Sequence, residues 1–244
     1  MACTSIICAL NLNIFIYALA GGVLPALLWL WFWMHEENDH HEPRSLIILT
    51  FMVGMAGIFV VFPLQQLTLY LGKIFDTGFA AGSFIAVTIW AFWEELVKYL
   101  AARFTAFRHI SFVHPIDAFI YITTASLGFS ALENSILLLG PLLKGDTVGA
   151  LNAGAMRFMG ASLLHFIASG VIALFVGLTF YASRAKKAIA LCAGFVIAVV
   201  LHSLFNFFII DNDKQNTLPV FLSVWILVIL LTISLERVKS IKNF

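Results

Sequence analysis

Glu94, Glu95 and Lys98 stand together in an otherwise apolar run, Thr88–Ala101, TIWAFWEELVKYLA. Adjacent carboxylates beside an amine are the equipment of general acid–base chemistry. A charge at membrane depth costs about 3 kcal/mol even on lenient scales, so three in one such run are there for use. On a helix Glu94 and Lys98 are one turn apart and Glu95 and Lys98 three positions apart. All three therefore share one polar stripe, with Trp90, Phe92, Leu96 and Leu100 packed around it. Three later apolar runs carry related groups: Glu133 beside Asn134, Arg157 ahead of His165, and His202 ahead of Asn206. The four-residue spacing of His202 and Asn206 puts both on one helical face.

The elements that must position these groups follow from composition. The chain has 244 residues, 61% hydrophobic and only 11% charged, with a mean hydropathy of +0.99, and soluble domains are not built this way. Lipid-exposed backbone must satisfy its own hydrogen bonds, which leaves helices or a closed barrel, and runs of roughly 20 apolar residues without strict alternation select helices. The expected fold is an all-α polytopic transmembrane bundle of about seven spans. These run roughly over 13–34, 46–71, 81–101, 117–141, 156–182, 188–211 and 218–235. No internal repeat or soluble module interrupts them, so residues 1–244 read as a single domain. The first run lacks a preceding basic residue and a small-residue cleavage site, and reads as a retained span.

Lys and Arg distribute unevenly over alternate sides. Arg44, Arg103, Arg108, Arg184, Lys186, Lys187, Arg237, Lys239 and Lys242 fall on one side, against Lys73, Lys144 and Lys214 on the other. The positive-inside rule then places the N-terminus outside and the C-terminus in the cytoplasm, with the chain multi-pass in a bacterial-type plasma membrane. The net charge of +1 and the lack of a basic cluster beyond Arg184, Lys186 and Lys187 exclude a nucleic-acid partner. Cys3, Cys8 and Cys192 form no CxxC and no even framework.

Each polar residue has a structural reading beside the chemical one. The loop from His35 to Arg44 holds three histidines and four acids, but His35 and His40 are five apart, out of register for a shared helical face, and the segment reads as a solvated loop. Glu42-Pro43 reads as a turn launching the second span, and Gly54 with Gly57, like Gly78 with Gly82, as close helix packing. Asp117, just after Pro115, reads as a cap for free backbone amides. Glu133 lies too far along the same helix for capping, and its structural reading is a pair with Lys98 or Arg157. Depth supplies a further expectation: counted from Pro141, Met156 and Asp211, the residues Glu133, His165 and His202 all come out about 12–14 Å below the outer surface.

The ordered set Glu94-Glu95-x-x-Lys98, Asp117 leading to GFSALEN (Gly128–Asn134), Arg157 ahead of His165, and His202-x-x-x-Asn206 resembles the PrsW family of intramembrane proteases. The Glu42-Pro43 turn resembles that family's acidic-proline segment, and the resemblance covers about residues 35–210. The wider clan includes the CAAX prenyl endopeptidases and bacteriocin-processing membrane proteases. Where the prenyl endopeptidases carry Phe-x-x-x-His, this chain has Phe129-x-x-x-Glu133, the PrsW form. The resemblance implies an endopeptidase that hydrolyses a peptide bond of a membrane-anchored, regulatory protein within the bilayer.

Such hydrolysis needs a water held by a base, a stabilised oxyanion and a proton for the leaving amine. Glu94 is the candidate base, with Glu95 holding the water or Lys98. By similarity to the clan, His202 and Asn206 would serve the oxyanion and His165 the water or proton, with Glu133 also catalytic and Lys98, Arg157 and Asn134 supporting. No cofactor is certain, but zinc is a candidate, because His165, His202 and Glu133 or Glu94 make a sufficient ligand set. The alternatives are an ion- or proton-coupled transporter, since intramembrane Glu, His and Lys also mark ion paths, and a non-catalytic membrane scaffold.

Overall fold

The computed structural model describes residues 12–36, 42–75, 82–210 and 217–241. Among these residues all regular secondary structure is helical, joined by short turns, and there is no strand. In order the helices are α1 (Leu12–Glu36), α2 (Arg44–Ala56), α3 (Ile58–Ile74), α4 (Phe84–Thr105), α5 (Pro115–Leu143), α6 (Thr147–Met156), a π-helical turn (Arg157–Ala161), α7 (Ser162–Leu178), α8 (Arg184–Ile210) and α9 (Thr217–Lys239). Six segments are long and apolar enough to cross a membrane: Leu12–His35, Arg44–Ile74, Pro115–Leu143, Thr147–Leu178, Arg184–Phe208 and Leu218–Lys239. The seventh is α4, whose 22 residues suffice in length but carry Glu94, Glu95, Lys98 and Arg103. The expectation of an all-helical, multi-pass chain with about seven spans agrees with this architecture.

α5 is the axis of the bundle. Every residue from Pro115 to Ala131 is buried, so this helix has no lipid face over its first half, as expected of a helix surrounded by others. Asp117 starts it, its Oδ2 accepting from the backbone N–H of Val113 and of His114, each at 2.7 Å. α1, α2 and α7 pack most extensively against α5, and α8 packs on α7 and α4. The α2–α5 crossing is at backbone distance. A Cβ on Gly54 would stand 2.2 Å from the Ala125 carbonyl oxygen, and one on Gly128 would stand 2.1 Å from the Phe51 carbonyl oxygen. Small residues thus let two helices meet by van der Waals packing where lipid supplies no hydrophobic drive. The large exposed apolar side chains, Phe59, Phe62, Ile189 and Leu222 among them, lie on the outside of the bundle and suit a lipid surround.

Three boundaries differ from those read in the sequence. The second span is two helices, interrupted at Gly57 and with Pro63 inside α3. α4 begins at Phe84, because the Ser83 hydroxyl accepts from Ala86 N–H at 3.3 Å and caps the helix there. The segment between the spans expected over 117–141 and 156–182 is helical from Thr147, with Asp146 Oδ1 accepting from Gly149 N–H at 2.8 Å. That cap lengthens the fifth span to 32 residues, so Met156 is not its outer end and the depth of His165 counted from there does not hold. The histidine-rich loop and Gly78 fall outside the described residues, except for His35, Glu36 and the turn at Glu42-Pro43.

Candidate active site

The charged stripe on α4 faces inward. Glu94, Glu95 and Lys98 are all buried, as are His165 on α7 and His202 on α8. Lys98 is the hub: its Nζ donates to Glu95 Oε1 at 2.7 Å and to His165 Nδ1 at 2.7 Å, and lies 3.8 Å from Glu94 Oε2. It also stands over the Phe129 ring, 4.8 Å from the centroid. A buried ammonium needs a charge partner and satisfied hydrogen bonds, and this arrangement supplies both.

Glu95 is held by three donors: Lys98 Nζ, His202 Nδ1 at 2.8 Å, and the Ser169 hydroxyl, which reaches Oε2 at 2.6 Å. An ionised carboxylate only accepts, so the facing Nδ1 of His202 carries the proton. In the neutral imidazole this leaves Nε2 with a free lone pair. The same reasoning fixes His165. Lys98 only donates, so His165 Nδ1 accepts, and its Nε2 carries the proton toward Glu133 Oε2 at 3.0 Å. The two imidazole rings meet edge to face with centroids 5.0 Å apart.

Glu94 differs from its neighbour. Its Oε1 accepts from Gln65 Nε2 at 3.0 Å, while Oε2 is buried without a hydrogen-bond partner among the described residues. His202 Nε2 is equally unpartnered and lies 3.5 Å from that oxygen. One atom each of Glu94, His165 and His202 lies within 4.8 Å of the others, a spacing at which a metal ion could be held. Behind each histidine stands a carboxylate, Glu95 for His202 and Glu133 for His165, the outer-shell pattern that orients imidazole ligands.

On the far side the cluster continues to Arg157, at the start of the π-helical turn. Its guanidinium donates to both Glu133 Oε2 and Asn134 Oδ1. Asn134 Nδ2 in turn donates to Ser162 Oγ at 3.0 Å and Ser130 Oγ at 3.2 Å. The Glu133 and Arg157 side chains are 21% and 23% exposed, so the otherwise sealed cluster opens at this pair. Wide turns of this kind recur at functional sites.

The structure therefore brings together Glu94, Glu95, Lys98, Glu133, Asn134, Arg157, His165 and His202. Asn206 is the exception. It lies one turn beyond His202, half-buried, and no described residue hydrogen-bonds its side chain. Sequence reasoning missed Gln65, whose only signal is a Gln65-Gln66 pair in an apolar run, and Ser126, which donates to the His165 carbonyl at 2.7 Å.

Buried carboxylates, imidazoles and an ammonium hydrogen-bonded to one another inside membrane-spanning helices fit the class of polytopic intramembrane enzymes. The chain belongs to the PrsW family: the model described as "PrsW family intramembrane metalloprotease" matches residues 42–233. It is 24% identical to Protease PrsW of Geobacillus kaustophilus over 80% of this chain and 81% of the relative. Protease PrsW of Halalkalibacterium halodurans is also 24% identical, over 91% and 95% of the two chains. Protease PrsW of Bacillus subtilis is 22% identical over 85% and 90%. No solved structure matches the chain. The protein is an intramembrane protease.

Proposed function

We propose that the protein hydrolyses a peptide bond of a membrane-anchored, regulatory protein with a water activated by Glu94. The carrying observation is the point where Glu94 Oε2 and His202 Nε2, both buried and without a hydrogen-bond partner among the described residues, face one another. A buried polar atom without a partner is costly, and a water placed there would hydrogen-bond both. Glu94 takes the water's proton at Oε2 while Gln65 holds its other oxygen. Glu95 fixes the His202 tautomer, and Glu133 fixes that of His165. Lys98 balances the carboxylates and offers positive charge to the developing oxyanion. Asn206, one turn from His202 and with an amide that no described residue hydrogen-bonds, joins the site when substrate is bound.

A divalent metal such as zinc fits the same atoms. Glu94, His165 and His202 would hold it, with Glu95 and Glu133 orienting the imidazoles. His165 Nδ1 would then exchange its Lys98 partner for the metal. When bound, zinc polarises a carbonyl and lowers the pKa of its water.

The test uses the full chain in proteoliposomes with a membrane-anchored protein reporter. Glu94→Gln keeps the Gln65 contact and the helix but removes the base, so cleavage should fall by roughly 100-fold or more. Intact cleavage in this variant would sink the assignment.

A further inference from the structure

The end of the bundle away from the Glu133–Arg157 opening carries a second polar feature, a cavity of 250 Å³ between the last turn of α4, the end of α7 and the first turn of α8. Two cations line it, Arg103 from α4 and Lys187 from α8, together with the Thr179 hydroxyl. Among the described residues neither cation makes an ion pair, and Lys187 Nζ rests 5.8 Å from the centroid of the Phe180 ring. No acidic side chain lines the cavity, and its floor is aromatic, with Phe112 5.5 Å from Phe180 centroid to centroid.

The electrostatics of α8 point the same way. Arg184, Lys186 and Lys187 occupy its first turn, which has no acidic residue. The positive end of a helix dipole favours anions and repels cations. Three cations there, two helices and a hollow between them call for a negative ligand that bridges α4 and α8.

We propose that this cavity binds the phosphate of an anionic phospholipid headgroup, with Arg103 and Lys187 as its paired cations. Size supports a headgroup: drug-sized ligands fill about 300–1,000 Å³, so 250 Å³ takes a phosphodiester and glycerol but not acyl chains. The chains have somewhere to go. Phe104 beside Arg103 is 65% exposed, and Ile189 near Lys187 is 71% exposed, giving the cations an apolar flank that suits a lipid tail. Basic pockets between membrane helices take lipid headgroups on the same physical grounds. The bound phosphate would tie together the ends of α4, α7 and α8, the helices that carry Glu94, His165 and His202. Glu95, Tyr99 and Arg103 recur at four-residue intervals on α4, so the phosphate sits two turns, about 12 Å along the helix, from the charged cluster.

The experiment counts lipids retained by the purified full chain, by native mass spectrometry after extraction from mixed phosphatidylcholine and phosphatidylglycerol vesicles. The unmutated chain should retain phosphatidylglycerol selectively. Each basic residue near an anionic surface is worth about fivefold in affinity, so Arg103→Gln with Lys187→Gln should lower retention roughly 25-fold. Arg184→Gln with Lys186→Gln removes the same charge outside the cavity lining and should keep most of it. Arg103→Lys with Lys187→Arg, which preserves both charges, should restore retention and shows that loss is not misfolding. Equal loss in the two Gln pairs, or no loss in the cavity pair, overturns the site. Displacement of the lipid by millimolar inorganic phosphate overturns the headgroup as its source and assigns the cavity to free phosphate.

Discussion

Glu94 Oε2 and His202 Nε2 lie 3.5 Å apart, both buried and both without a hydrogen-bond partner among the described residues. The adjacent pair, Glu95 Oε1 and His202 Nδ1, is 2.8 Å apart and fully engaged. One imidazole thus faces two neighbouring glutamates with opposite edges, one edge satisfied and one open. That asymmetry supports the different roles proposed for the two carboxylates.

Glu95 is a structural charge first. Its replacement by Gln leaves the Lys98 ammonium, which is 0% exposed, without its nearest counter-ion. Removing one partner of a buried pair costs about 3–5 kcal/mol, so Glu95→Gln should lower the midpoint of unfolding in denaturing detergent. Glu94→Gln should change that midpoint by less than half as much while abolishing cleavage. Equal destabilisation by both substitutions would contradict the division.

Metal content is measurable apart from activity. Elemental analysis of the purified chain should find about one equivalent of a divalent transition metal, falling to background in His202→Ala, if the three converging atoms are ligands. Undiminished, chelator-resistant cleavage in a preparation with less than about a tenth of an equivalent removes metal from the site. Glu94 then acts alone.

Glu42 lies between the first two spans, where Tyr121 donates a hydrogen bond to its Oε2. Burial, reinforced by the nearby Asp117 charge, raises its pKa from 4.5 to about 7. A carboxyl whose pKa is raised by folding contributes most stability when protonated in both states, below pH 4.5, and loses it as pH rises through about 7. Stability of the unmutated chain should therefore decline between these values. Glu42→Gln keeps a neutral polar group and should flatten that decline; an unchanged pH profile would exclude Glu42 as its source.

Orientation rests on the distribution of Lys and Arg. With the native cysteines replaced by Ser, Ile110→Cys in the loop after α4 and Val148→Cys at the start of α6 offer exposed thiols on opposite sides. An impermeant maleimide should label position 148 from outside and position 110 only with cytoplasmic access. The reverse pattern inverts the protein and puts the Glu133–Arg157 opening on the cytoplasmic side.

Much of the site was legible because charge in an apolar run is conspicuous. Glu94, Glu95, Lys98, Glu133, Arg157 and the two histidines announce themselves by what burying them costs, and the structure gathers them. Gln65 escaped notice because a neutral amide costs too little in an apolar helix to demand explanation. The start of α6 was hidden for another reason: a stretch rich in Gly, Ala and Asn around Asp146 resembles a loop in composition, and only the Asp146 cap makes it helical. Depth counting inherited that error. Side-chain contacts between helices, which no residue count supplies, join His165 to Glu133 and Lys98. Asn206 marks the other limit, since shared spacing with His202 placed it on a face but not in the hydrogen-bond network.

The π-helical turn at Arg157–Ala161 changes the phase of its span. An α-helix advances about 100° per residue, so a turn widened to i→i+5 bonding behaves as one inserted residue and offsets everything on either side of it by about that angle. A helical wheel drawn from Thr147 to Leu178 therefore mispredicts which residues share a face. Arg157 reaches Glu133 and His165 reaches the same carboxylate because the offset lies between them. Deleting one residue from 158–161 would remove the wide turn and leave Arg157 and His165 seven positions apart on a regular α-helix, within about 20° of one face, so the turn carries one extra residue through the span without turning Arg157 away from Glu133.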